Sequence, residues 1–188
     1  MFDCIRNYNS QDPVIVLHDF FIDRIVNIGS KINFLQAIDK KTKTGGGSIR
    51  GVSSLDIKGG NAVNVAYCLA SLGVRIYLYT TANKIGSSIL ESIFLKFGKN
   101  IEIHARNGKQ GLTTSLEFRS NTSNSNVMIS DVGDNDNYGP DNISSELDME
   151  ILSKCKGVVI ANWASNLRGT DLLAHVFNNS PNALHFVD

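Results

Sequence analysis

Gly59-Gly60-Asn61-Ala62-Val63-Asn64-Val65-Ala66, continued by Leu69-Ala70-Ser71-Leu72-Gly73, is the stretch on which the fold turns. Two adjacent glycines interrupt whatever precedes them and let the backbone approach a neighbour closely. Directly after them the apolar period becomes helical: Ala62, Val65, Ala66, Leu69 and Leu72 fall at i, i+3, i+4, i+7 and i+10. Gly73 is placed to end that helix as a C′ residue of positive φ. A helix entered through glycines leaves its first N–H groups open to oxygen acceptors. Asn64, one turn in, offers a donor and an acceptor to a hydroxyl-rich ligand.

Upstream, Pro13 to Asp19 (PVIVLHD) is a short apolar run without polar alternation, the pattern of a central parallel strand buried on both faces. Ile22 to Ile28 alternates more loosely, and Lys40 to Gly51 mixes charge with four glycines, which reads as an exposed flap. Downstream, Arg75 to Thr80 is a strand. Ser87 or Ser88 then caps a second helix with Ile89, Ile93, Phe94 and Phe97 on its apolar face, closed by Gly98, and Ile101 to Ala105 is the next strand. Strands separated by helices of this length imply right-handed crossovers onto a parallel sheet, so the fold class is α/β. Gly111 to Phe118 and Val127 to Ser130 form a hairpin across the polar segment Arg119 to Asn126, suited to pairing with the flap. A helix around Leu147, Ile151 and Leu152, a strand Gly157 to Ala161, a helix Asp171 to Phe177 and a strand Ala183 to Val187 complete the order. Sheets of this class bind ligands beyond the carboxyl ends of their strands, and the last strand reaches that edge just before Asp188. The expectation is an incomplete domain.

Composition narrows the function. With 188 residues, 42% of them hydrophobic and 19% charged, the chain carries a core and is neither a charge-driven disordered segment nor a polytopic membrane protein. Eighteen basic residues balance eighteen acidic ones, so no global field favours nucleic acid as a partner. The N-terminus, Met1 to Gln11, has no apolar export segment, and no apolar run approaches the roughly 20 residues of a membrane span. Cys4, Cys68 and Cys155 are odd in number and far apart, which suits a reducing cytoplasm. The triplets at Asn121, Asn142 and Asn178 would be glycosylation acceptors only in a secreted protein.

The ensemble resembles the ribokinase-like (PfkB) carbohydrate kinase family. Its signature is similar to Gly59-Gly60-x-x-x-Asn64-x-Ala66 followed by Leu69-Ala70-x-Leu72-Gly73, and Val16 to Asp23 looks like its first strand, in which Asp23 matches the aspartate that grips sugar hydroxyls. The resemblance covers nearly the whole chain. It implies a three-layer sandwich with a central, mostly parallel sheet and a small β-sheet lid from segments near 25–58 and 111–130, all of residues 1–188 being the N-terminal part of one domain. It implies a substrate site of Asp23, Gly59, Gly60 and Asn64, with Asn162 at a strand end as either a site residue or a loop cap. His18 and Phe21 stand where the family often has glycine and a polar residue, so that side of the pocket is expected to be bulkier and more apolar. Gly86 matches a family glycine, whereas Thr81-Ala82-Asn83 lacks the acidic position before it.

The family's Gly-Ala-Gly-Asp and Asn-x-x-Glu motifs, which serve nucleotide, catalysis and magnesium, are absent from residues 1–188. ATP and Mg²⁺ are therefore expected in a complete protein, with no catalytic residue in this chain. In such a protein the ATP γ-phosphoryl group passes to a hydroxyl of a sugar or nucleoside. The alternative is a non-catalytic sugar- or nucleoside-binding protein, or one that dimerises. Exposed lid strands need their edges covered, so a homodimer through the lid is also an expectation.

Other candidates read as structural. Gly45-Gly46-Gly47-Ser48 lacks the Gly-Lys-Ser/Thr ending of a phosphate loop and reads as a turn. His18, His104, His175 and His185 have no ligand spacing, so no metal site is expected. Asp131 to Gly139 is acidic, but its glycine is misplaced for calcium and no glutamate stands at the twelfth position; it reads as a solvated connecting loop.

Overall fold

The computed structural model describes residues 12–120 and 122–188, so Met1 to Gln11, Cys4 and Asn121 lie outside it. In chain order the described elements are β1 (Val14–His18), β2 (Phe21–Gly29), α1 (Lys31–Lys43), β3 (Ser53–Gly59), α2 (Asn61–Ser71), β4 (Ile76–Ala82), α3 (Lys84–Phe94), β5 (Ile101–Asn107), β6 (Gly111–Arg119), β7 (Asn124–Asp131), α4 (Glu146–Lys154), β8 (Gly157–Ile160), α5 (Gly169–Asn179) and β9 (Leu184–Val187).

β1 sits in the middle of a five-stranded sheet of order β5-β4-β1-β8-β9, paired in parallel throughout. Successive side chains of a strand point to opposite faces. Ile15 and Leu17 therefore enter one core with Leu152 of α4 and Leu172 of α5, while Val16 enters the other with Ala66 of α2 and Leu90 of α3. The unbroken apolar run thus makes the middle layer of an α/β sandwich, each fully buried aliphatic side chain contributing about 1.5–3 kcal/mol.

Only Asp19 and Phe20 separate β1 from β2, the strand that begins a second, four-stranded sheet of order β3-β2-β6-β7. β2 pairs antiparallel with β3 and parallel with β6, and β6 pairs antiparallel with β7, so the expected hairpin is present. The short joint between the sheets is pinned from the turn Gly133–Asn137. There the Asn135 side chain accepts from the Phe20 N–H (3.2 Å) and donates to the Phe20 carbonyl (3.0 Å), while the His18 ring bonds the Asn135 carbonyl (3.0 Å). The Asp131 to Gly139 segment is consequently not the solvated loop its acidity suggests: Asn135 and Tyr138 at its centre are buried.

Further expectations need correction. The flap is not wholly turn-like, because Lys31–Lys43 is a helix whose last residues are the first of the predicted flap. It carries no buried residue; Ser30 caps it by accepting from the Asn33 N–H (3.4 Å), Asp39 pairs with Lys43 (2.7 Å), and lysines in the last turn favour its dipole. Asn83, not Ser87 or Ser88, caps α3, accepting from the Gly86 N–H (2.9 Å) at the point where β4 ends. α3 stops at Phe94 and Phe97 lies in a following 3₁₀ segment, which Gly98 breaks, as expected, with a non-helical φ of +53°. Leu72, placed on the apolar face by its spacing, lies past the end of α2 and is 63% exposed.

α2 begins at a glycine and has no cap of its own. Asp19 supplies one from the end of β1, accepting from the N–H of Asn61 (2.9 Å) and of Ala62 (2.7 Å) with only 2% of its surface exposed. Gly60 has φ of +91°, and a Cβ there would collide with the Asp19 carbonyl. Asp19→Ala is expected to cost about 2 kcal/mol, since it removes a cap and leaves two backbone donors, one buried and one part-buried, without it. Thermal denaturation reads this as a Tm several degrees lower, with Asp19→Asn losing less; an unchanged Tm in Asp19→Ala contradicts the capping role.

Candidate functional site

From β1 the chain moves outward to β4 and β5 on one side, then returns to place β8 and β9 on the other. The crevice between β1 and β8 is therefore a topological switch point, where α/β sheets characteristically leave room for a ligand. Asp19 follows β1 and Asn162 follows β8, and across the crevice Asn162 Nδ2 donates to Asp19 Oδ2 (3.2 Å). Asn162 holds a left-handed conformation, φ +59°, and its Oδ1 accepts from Ser165 Oγ (2.7 Å). Both carboxamide atoms are thus oriented by the protein itself.

The second sheet closes over this floor. Its period of two places Phe21, Asp23 and Ile25 of β2 on one face with Thr113, Ser115 and Glu117 of β6, and a cleft of about 540 Å³ lies between that face and the strand ends. Asp23 lies against the Gly59 backbone, and a Cβ at Gly59 would overlap the Asp23 carboxyl group. Partial burial raises the Asp23 pKa above its ordinary 3.8; the nearby Asp19 charge adds to the rise, and a hydrogen bond from Thr113 opposes it.

Of the residues expected from sequence, Asp23, Gly60 and Asn162 line the cleft, and Gly59 is buried directly behind Asp23. Asn64 is not brought to it: its side chain is on the exposed surface of α2, where its Oδ1 accepts from Lys58 Nζ. Lys58 also sits 4.6 Å from the centre of the Tyr67 ring. The bulk of His18 goes into the body, not the cleft. Its ring packs on Tyr138 (centroids 5.4 Å apart), and burial pushes its pKa below that of ordinary histidine. Phe21 does face the cleft and supplies an apolar wall.

Sequence reasoning missed Asp19, Asn61, Ser115 and Glu117, all of which line the cleft. Asp19 carried a usable signal, an acid one residue beyond a fully apolar strand. Glu117 carried only its alternation within a strand. Among the described residues no group of three His, Cys, Asp or Glu side chains is placed to hold a metal ion.

No protein-family model and no curated protein matches the sequence. The fold, however, is similar to that of solved kinases. Arabidopsis thaliana ribokinase complexed with ribose and ATP has 16% identity and a TM-score of 0.66 over 94% of this chain and 53% of that one. A carbohydrate kinase from Agrobacterium tumefaciens has 15% identity and a TM-score of 0.67, with 93% and 52% covered. Adenosine kinase from Sinorhizobium meliloti has 13% identity and a TM-score of 0.64, with 93% and 55% covered. The fold is thus ribokinase-like, and the chain spans about half the length of each of these structures.

Because the folded pKa of Asp23 is raised, the stability its protonated form confers is full below 3.8 and lost as pH rises through the folded value. An NMR titration of its side-chain carboxyl is expected to give a midpoint above 3.8. Thr113→Val removes the opposing hydrogen bond and is expected to raise that midpoint further; a midpoint at or below 3.8 in the native protein contradicts this environment.

Proposed function

We propose that this chain is the substrate-binding and lid portion of an ATP-dependent kinase that transfers the ATP γ-phosphoryl group to a hydroxyl of a sugar or nucleoside. The observation that carries the reading is the placement of Asp23, backed by Gly59, over the Asp19-capped start of α2 at the switch point of a ribokinase-like sheet. Asp23 accepts hydrogen bonds from ligand hydroxyls, and Gly60 lets the ligand lie close to backbone. Asn162 orients one further hydroxyl, and the second sheet is the lid that excludes water. Asn64 joins the site only if Lys58 releases it. Among the described residues Cys68 and Cys155 are free thiols, which fits a cytoplasmic setting.

The cleft residues do not fit the donor. Asp19, Asp23 and Glu117 face it with no basic side chain among the described residues, and no metal-holding group is present among them. The part of phosphoryl transfer assigned to this chain is therefore acceptor binding and orientation, not donor binding.

A homodimer through the lid is supported by β7, an edge strand exposed at every position, with Val127, Met128 and Ile129 among its residues. Sedimentation velocity of the protein at its full natural length tests this, a monomer at micromolar concentration counting against it.

Phosphoryl transfer from ATP, measured across neutral hexoses, pentoses and nucleosides with the full-length protein, tests the main reading. Asp23→Ala is expected to raise KM for the acceptor at least about tenfold, the scale of one lost charge-assisted hydrogen bond. Asn64→Ala is expected to have a smaller effect. Binding of a sugar or nucleoside without any transfer would favour a non-catalytic binding protein, and unchanged KM in Asp23→Ala would overturn the site.

A further inference from the structure

The cleft's ionisable lining is of one sign. Asp19, Asp23 and Glu117 contribute carboxyl groups, and among the described residues no lysine, arginine or histidine lines it. Of the cations close by in sequence, Arg119, two residues beyond Glu117 on β6, does not line the cleft, and three others are committed elsewhere. Arg24 emerges on the opposite face of β2 from Asp23 and grips Asp56 through two hydrogen bonds of 2.7 and 2.8 Å. Lys109 pairs with Asp131, and Lys58 with Asn64 and the Tyr67 ring.

The helix start facing the cleft is not free to attract an anion either. Helix N-termini bind phosphate through unpaired N–H groups and the positive end of the dipole. Here the Asn61 and Ala62 N–H groups already donate to the Asp19 carboxylate, which cancels that attraction from within the protein. At the other end of the β6 segment lining the cleft, Glu117 Oε1 accepts from Ser115 Oγ (2.6 Å), which fixes the side chain, and no described group hydrogen-bonds its Oε2.

We propose that the cleft selects its ligand by charge: it takes a polyhydroxy compound that is uncharged or carries an amine, and rejects one carrying a phosphate or carboxylate, with Glu117 enforcing the rejection. This rests on the proposed binding of sugars or nucleosides. In a partly enclosed cleft the repulsion between like charges is screened less than in bulk water, so it separates ligands of similar shape. Burial is the main cause of the raised Asp23 pKa, and the Asp19 charge adds to it.

Isothermal titration calorimetry of the full-length protein with matched ligands tests the selection: D-glucose, D-glucosamine and D-glucuronate; D-ribose and ribose 5-phosphate; adenosine and adenosine 5′-monophosphate. Within any series whose neutral parent binds, the anionic member is expected to bind at least about tenfold more weakly, and glucosamine at least as tightly as glucose. Glu117→Gln, which keeps the side-chain shape, is expected to narrow the neutral-to-anionic gap at least about threefold without changing Tm. Anionic members binding as tightly as their parents would overturn the charge selection and leave the kinase reading standing. An unchanged gap in Glu117→Gln would overturn the role of Glu117, and binding by no member of any series would overturn both readings.

Discussion

The carboxylate of Asp19 holds together three parts of the chain that are distant in sequence. It stands at the end of the central strand, caps a helix that begins 42 residues later, and receives the side chain of Asn162 from the far side of the switch point. A buried carboxylate is costly unless its oxygens are paired, and here two backbone N–H groups and a carboxamide pair them. Gly60 makes this possible by adopting a positive φ and by leaving no Cβ to strike the Asp19 backbone. The floor of the cleft follows from this one arrangement.

The second sheet depends on the same joint. Because two residues connect β1 to β2, the orientation of the roof is set by what grips Phe20, and Asn135 does so through both its carboxamide atoms. The distance between floor and roof is therefore tied to the body rather than left to a long linker. Gly59 carries the consequence to the cleft: lacking a side chain, it leaves space for the Asp23 carboxyl group that lines it. The negative lining comes from three separate elements, the end of β1, β2 and β6, and their alternation places all three carboxyl groups on the same cleft.

The sandwich was legible where packing dominates. The PVIVLHD run, the helical period from Ala62 to Leu69 and the strand at Gly157 to Ala161 each encode burial directly, and burial is what the α/β pattern records. α1 escaped because it buries nothing, so its sequence had only local caps and charge pairs to announce it, and the glycines at 45–47 dominated the reading. Ser87 and Ser88 looked like caps because a serine before an apolar stretch is a good one, yet Asn83 at the strand end had already started the helix. In the site, the double glycine and Asp23 were legible as a motif, whereas Asp19 and Glu117 depend on which strand ends and sheet faces meet. Asn64 shows the converse: its spacing in the motif is right, but Lys58 on the neighbouring strand takes its oxygen.

The central claim is that a hydroxyl-rich ligand lies between the two sheets, over the start of α2. Amide chemical-shift mapping of the full-length protein tests it most directly, with ribose and adenosine added separately. Shifts are expected at Asp23, Asn61, Ala62, Ser115 and Asn162, with the exposed face of α3 around Ile85 unmoved. Phosphoryl transfer or tight binding accompanied by shifts that leave all five of these residues unmoved would contradict it.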